Sequence, residues 1–131
     1  MDEAIDILNE RGMTKIESIG KGGFSTCFTI MDKKYNQTFV CKVINLPKED
    51  DKVMQYTSFN IEIEALIKVT NPFIIKIYDH FMTEKNLYII LEYCPGGTLQ
   101  QMIDKNGRIP EKSLIMYIYQ LLTALDRKSV V

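Results

Sequence analysis

The stretch Ile19-Gly20-Lys21-Gly22-Gly23-Phe24-Ser25-Thr26-Cys27-Phe28 (IGKGGFSTCF) sets three glycines within four positions, between two runs that alternate apolar and polar residues. Glycine packs nothing and costs conformational entropy, so such a cluster marks a tight turn or a place where something approaches the backbone closely. A hairpin turn needs one or two glycines, and this one has three. Exposed backbone N–H groups at a strand–glycine–strand turn can cradle phosphate oxygens, which would account for the missing side chains. Taken alone, the same pattern also fits a plain hairpin.

Around this stretch the pattern is that of a strand-rich domain. The segments TKIESIG, STCFTIMD and TFVCKVINL are rich in β-branched and aromatic residues and are divided by the glycine cluster and by KKYNQ, so three antiparallel strands are expected. Phe59, Ile63, Leu66 and Ile67 then recur at helical spacing, and this helix should end near Thr70, before Asn71-Pro72. FIIKIYDHF and NLYIILEYC read as two further strands, the second apolar enough to be buried, and Cys94-Pro95-Gly96-Gly97 breaks it. A short helix from Thr98, a turn at Asn106-Gly107 and a helix after Pro110 follow. The last carries Leu114, Tyr117, Ile118, Leu121, Leu122 and Leu125 on one face. At the N-terminus, Ile5 and Leu8 before Gly12 suit a short helix.

Composition sets outer limits. The chain has 131 residues, 46% of them hydrophobic, and a formal net charge of -1, which fits one globular body. Lys and Arg are dispersed, so neither nucleic acid nor an acidic membrane surface is an expected partner. Cys27, Cys41 and Cys94 form no CxxC pair and have no histidine cluster beside them, which argues for free thiols rather than a disulfide framework or a zinc site. No apolar run is long enough for a membrane span and the first residues do not resemble a secretory signal, so an intracellular, cytoplasmic protein is expected.

Two charged residues stand out against this apolar background. Lys42 interrupts FVCKVI, a run that otherwise belongs in a core, and a lysine there needs an anionic partner or a solvated head at a strand edge. On a helical wheel Glu62 falls between Leu66 and Val69, at the rim of the buried face, whereas Glu64 points further from it. Either residue alone is an ordinary surface charge.

Together and in this order, the segments resemble the N-terminal lobe of a eukaryotic protein kinase. That family carries a GxGxxGxV loop, a V-A-I-K lysine on the third strand and a helix glutamate paired with it. Gly20, Gly22 and Ser25 occupy the glycine positions and Cys27 the valine position over the adenine. VCK stands for the lysine motif, with Cys41 for its alanine, and Glu62 is the paired glutamate. The resemblance implies an α+β fold, with a five-stranded antiparallel sheet and one packed helix, followed by the hinge and the first helices of the C-terminal lobe. Residues 1–12 would form a helical extension, 13–94 the N-lobe, and 95–131 the hinge exit and start of the C-lobe. It implies ATP as ligand, held by Ile19, Gly20, Lys21, Gly22, Gly23, Phe24, Ser25, Thr26, Cys27, Lys42 and Glu62. Leu91 would be the gatekeeper, Glu92 and Cys94 would present backbone groups to adenine, and Thr98 would lie near the ribose. GKGGFSTCF and EYCPGGTLQQMI look most like serine/threonine kinases of the calmodulin-dependent, NIMA-related or polo-like kind. Asn71 stands where a histidine often precedes the proline, and His80 fits a structural position at a strand end.

The family's H-R-D-L-x-x-x-N loop, D-F-G and A-P-E have no counterpart in these residues, and Asp126-Arg127 has the reversed order. The catalytic base and the ligands for Mg2+ are therefore expected to be missing, and the 131 residues alone inactive. Three readings follow: a truncated serine/threonine kinase, a non-catalytic nucleotide- or partner-binding pseudokinase module, or a gene fragment without function. The apolar stripe from Leu114 to Leu125 would then be available for self-association or a protein partner.

Overall fold

The computed structural model describes residues 2–23, 25–46, 61, 63–68 and 71–130, of which 2 and 126–130 are described by backbone alone. Five strands, β1 (Met13–Lys21), β2 (Ser25–Asp32), β3 (Gln37–Asn45), β4 (Ile77–Met82) and β5 (Asn86–Glu92), form one antiparallel sheet in the order β1-β2-β3-β5-β4. Three helices are α1 (Asp2–Glu10), α2 (Leu99–Asn106) and α3 (Glu111–Val130). Residues 63–68 are also helical, while the Phe59 position and the expected helix end near Thr70 lie outside the described residues. The fourth strand is shorter than FIIKIYDHF suggests: it begins at Ile77, because Asn71 and Pro72 open a turn in which Asn71 Oδ1 accepts the Phe73 N–H at 2.8 Å.

The chain divides into two compact units, residues 1–67 with 76–93, and residues 68–75 with 94–131. In the first, strand alternation sorts side chains onto two sheet faces. Phe28, Ile30, Phe39, Cys41, Val43, Tyr88 and Ile90 form one cluster with Met13 and with Ala4 and Leu8 of α1. The amino-terminal helix is thus part of the core: Leu8 is 1% exposed. Its position is held by Glu3, whose carboxylate accepts from the Thr83 hydroxyl and from the Tyr88 hydroxyl at 3.2 Å. At its end, the Arg11 guanidinium lies 3.7 Å over the Phe81 ring, which stacks on Tyr88 at 5.0 Å. Ile63, Ile77, Leu87 and Ile89 make the core of the opposite face, with Ile44, Leu46, Leu66 and Leu91 packed on it.

Two local devices shape the sheet. β1 is irregular between Lys15 and Ser18, and there the buried Thr29 hydroxyl takes over the ladder, accepting from Glu17 N–H at 3.2 Å and donating to Glu17 O at 3.3 Å. The β2–β3 turn is held by Asp32 Oδ1, which accepts the Lys34 N–H at 2.8 Å.

Candidate nucleotide-binding face

One transverse row of the sheet runs Gly20, Cys27, Lys42, Ile89, His80, each residue the registered partner of the next across β1, β2, β3, β5 and β4. Registered partners project to the same side of a sheet, so the glycine, a small thiol and the lysine share one face, on neighbouring strands about 4.8 Å apart. Leu91, two residues beyond Ile89, belongs to that face as well. Lys42 is partly buried on this face, between its registered partners Cys27 and Ile89.

Glycine at the turn serves no need of the fold itself. Gly22 N–H donates to Ser25 O at 2.7 Å and closes the β1–β2 turn, yet none of Gly20, Gly22 and Gly23 has a positive φ. Among the described residues a Cβ would meet nothing within 4 Å at Gly20 or Gly23, and at Gly22 it would make ordinary contacts with the Ser25 Oγ at 3.4 Å and the Ser25 O at 3.8 Å. Among the described residues neither crowding nor a positive φ calls for glycine at these positions. By contrast Gly97 and Gly107, with φ of 81° and 79°, are required by their turns. Ile19 and Lys21 are exposed beside the turn, and Ser25 and Thr26 are partly buried in β2. Phe24 lies outside the described residues.

The helical segment 63–68 packs on the Lys42 face through Ile63 and Leu66. Glu62 itself lies outside the described residues, and so does its pairing with Lys42. Glu64, which the wheel sets further from the buried face than Glu62, is exposed and brings Oε1 to 3.3 Å from His80 Nε2, at the end of the same transverse row. A wheel ranks distance from the apolar stripe and says nothing of a partner on another element, so the histidine contact was not legible in the helix alone.

The expectation for Cys41 is corrected. The V-A-I-K motif places alanine two residues before lysine, which is Val40, and alternation puts Val40 beside Lys42 while Cys41 faces the α1 cluster at 0% exposure. Burial, and next the nearby Cys27, push the Cys41 thiol up to about 12. Val40 is registered with Leu91 and with Thr29. It is the residue of this face that motif matching missed and a period-two count from Lys42 would have found.

At the other end of β5, the Glu92 N–H donates to Lys76 O at 2.9 Å and its carboxylate accepts from Lys76 N at 3.2 Å. Of that residue's backbone groups, at most the carbonyl is open to a ligand. In the second unit Cys94 is exposed. Thr98 is the N-cap of α2: its Oγ accepts from Gln101 N at 3.0 Å, and Gln101 Oε1 accepts from Thr98 N at 2.8 Å, a full capping box. No group of three or more metal-ligating side chains is found among the described residues. Nor is any described helix long and apolar enough to cross a membrane.

A family model described as "Protein kinase domain" matches residues 13–127. The serine/threonine-protein kinase Nek3 of Oryza sativa subsp. japonica is 35% identical over 115 residues, covering 85% of this chain and 19% of that relative. The serine/threonine-protein kinase polo of Drosophila melanogaster is 27% identical over 124 residues, 92% of this chain and 21% of the relative. The chain therefore spans about a fifth of the length of these relatives. Among solved structures, Rad53 1-466 in complex with AMP-PNP superposes with a TM-score of 0.76 over 90% of this chain and 30% of that one, at 24% identity.

Proposed function

Because the chain belongs to the protein kinase domain family, we propose that the Lys42 face is an ATP site and that these residues are the nucleotide-binding part of a serine/threonine kinase domain. The observation that carries the reading is the row Gly20, Cys27, Lys42: close backbone approach, room for a flat base and a cation for phosphate in consecutive registered positions. The adenine would lie against Cys27, Val40 and Leu91, with the β- and γ-phosphates toward Lys42 and the glycine turn. Glu62 would orient the lysine, and the Glu92 carbonyl would meet the base edge. The neighbouring fold of a kinase named as an AMP-PNP complex supports the same ligand class.

Phosphoryl transfer depends on positioning and on charge stabilisation by metal ions, with a base aligned on the acceptor hydroxyl. The residues present fit the phosphate-holding share of that work. Mg2+, which would supply charge stabilisation for the phosphates, would be held by family motifs with no counterpart in these 131 residues. Transfer of the γ-phosphate to a Ser or Thr hydroxyl is proposed for the domain type, and nucleotide binding for this chain.

The test is a titration of the chain with a fluorescent ATP analogue. Lys42→Ala removes one charge-assisted contact of about 1.5–3 kcal/mol, so affinity should fall at least about tenfold. Equal affinity of the two proteins would reject the site.

A further inference from the structure

The sheet face turned away from Lys42 holds a cavity of about 500 Å3 that the nucleotide reading does not use. Its floor is apolar: Met13, Phe39 and Ile90 are all buried. Tyr35 and Tyr78 stand at its walls, and Tyr78 meets Phe39 edge to face at 4.8 Å between centroids. Three charged side chains line it, one arginine and two aspartates. The arginine, Arg11, has its guanidinium engaged on the Phe81 ring. Asp32 uses Oδ1 for the turn N–H groups of Lys34 and Tyr35, and Asp79 uses Oδ1 for the His80 N–H. Their second oxygens have no hydrogen bond, and neither carboxylate an ion pair, among the described residues.

The wall rings already attract ammonium groups. Lys34 Nζ lies 5.3 Å from the centroid of Tyr35, and Lys76 Nζ lies 4.8 Å from that of Tyr78. Both lysines are exposed, so their heads exchange freely with water and with a competitor of the same charge. Aromatic faces over an apolar floor, with two open carboxylates and the one lining arginine occupied elsewhere, are complementary to a positive head on an apolar stem.

We propose that this cavity is a binding site for an organic cation, an ammonium or guanidinium group carried on a hydrocarbon stem. The stem rests on Met13, Phe39 and Ile90, and the head sits between the tyrosine rings and the carboxylates of Asp32 and Asp79. Such a cation could be a free amine or the side chain of a basic residue in a polypeptide.

The full chain, labelled with 15N, would be titrated with 2-phenylethylammonium, N-acetylargininamide, the neutral 2-phenylethanol and the anion phenylacetate, following the amides of Phe39, Tyr78 and Ile90. The cations should bind saturably and about fivefold or more tighter than the neutral and anionic analogues, the scale of one cation–aromatic contact with a partly desolvated carboxylate. Asp79→Asn should weaken the cations, and Lys76→Gln, which removes the internal competitor, should strengthen them. Preference for the argininamide assigns the site to a peptide side chain and preference for the amine to a small molecule, and both uphold the cation. Equal binding of phenylacetate, weakening of cations by Lys76→Gln, or no saturable shift with either cation overturns the proposal. None of these readouts depends on whether Lys42 binds a nucleotide.

Discussion

The three cysteines differ in where the fold leaves them. Cys27 projects to the Lys42 face and is partly exposed, Cys94 lies exposed after β5, and Cys41 is sealed under α1. The thiolate is the reactive form, and burial holds the Cys41 thiol up to about 12, far above neutral pH. Folded protein treated with a maleimide at neutral pH should therefore label at Cys94 and Cys27, and Cys41 should label only after denaturation. Peptide mapping that finds Cys41 modified as fast as Cys94 in the folded protein would contradict its burial. The same alternation explains why Val40, and not Cys41, belongs with Lys42. Glu64 shows the converse: an exposed charge on a helix finds its partner in a histidine of β4, far away in sequence.

Among the elements, α1 gains most from tertiary context. Isolated, a helix of nine residues is below the length that is stable in water. Here Ala4 and Leu8 fill the sheet core, and Glu3 ties the helix to the loop before β5. The Thr83 hydroxyl, foremost among its partners, holds the Glu3 carboxyl below the ordinary carboxylate range. A depressed folded value means that the ionised form is the one stabilised. The contribution is complete above the unfolded carboxylate range and disappears as pH falls through the lower folded value. Glu3→Gln should thus lower the melting temperature at neutral pH, and the difference from the unaltered protein should shrink to nothing in acid. A difference that persists or grows in acid would rule out the carboxylate as its source.

Across the chain, the sheet unit has a finished core and α3 does not. Of the expected stripe, Leu114, Ile118, Leu121, Leu122 and Leu125 are exposed and Tyr117 is partly buried, while Ile115, Met116 and Tyr119 on other sides of the helix are exposed as well. Among its described side chains the least exposed are Ser113, Tyr117, Gln120, Thr123 and Ala124, so the side that the structure covers is not the most apolar one. A helix hydrophobic nearly all round is built for burial. Full burial of each large apolar side chain is worth roughly 1.5–3 kcal/mol, a strong drive toward self-association. Light scattering should show concentration-dependent association of the full chain, and removal of residues 108–131 should abolish it with the β-sheet circular dichroism retained. Unfolding of the shortened protein would mean that α3 supports the sheet.

The order of strands and helices, the glycine turn, the lysine in β3 and the family were legible in the chain, because periodicity, turn chemistry and motif spacing are local and survive translation into sequence. The α2 start was equally plain, since a capping box is made by residues three apart. What folding alone decided are relations between residues distant in the chain. These are the seating of α1 on the sheet, the transverse row that unites Gly20, Cys27 and Lys42, the Glu64–His80 contact and the aromatic cavity behind β3 and β5. Register and burial belong to the packed sheet: a one-residue slip would exchange Cys41 with Lys42 between its faces, and no stretch of β3 read by itself states which face the amino-terminal helix will cover.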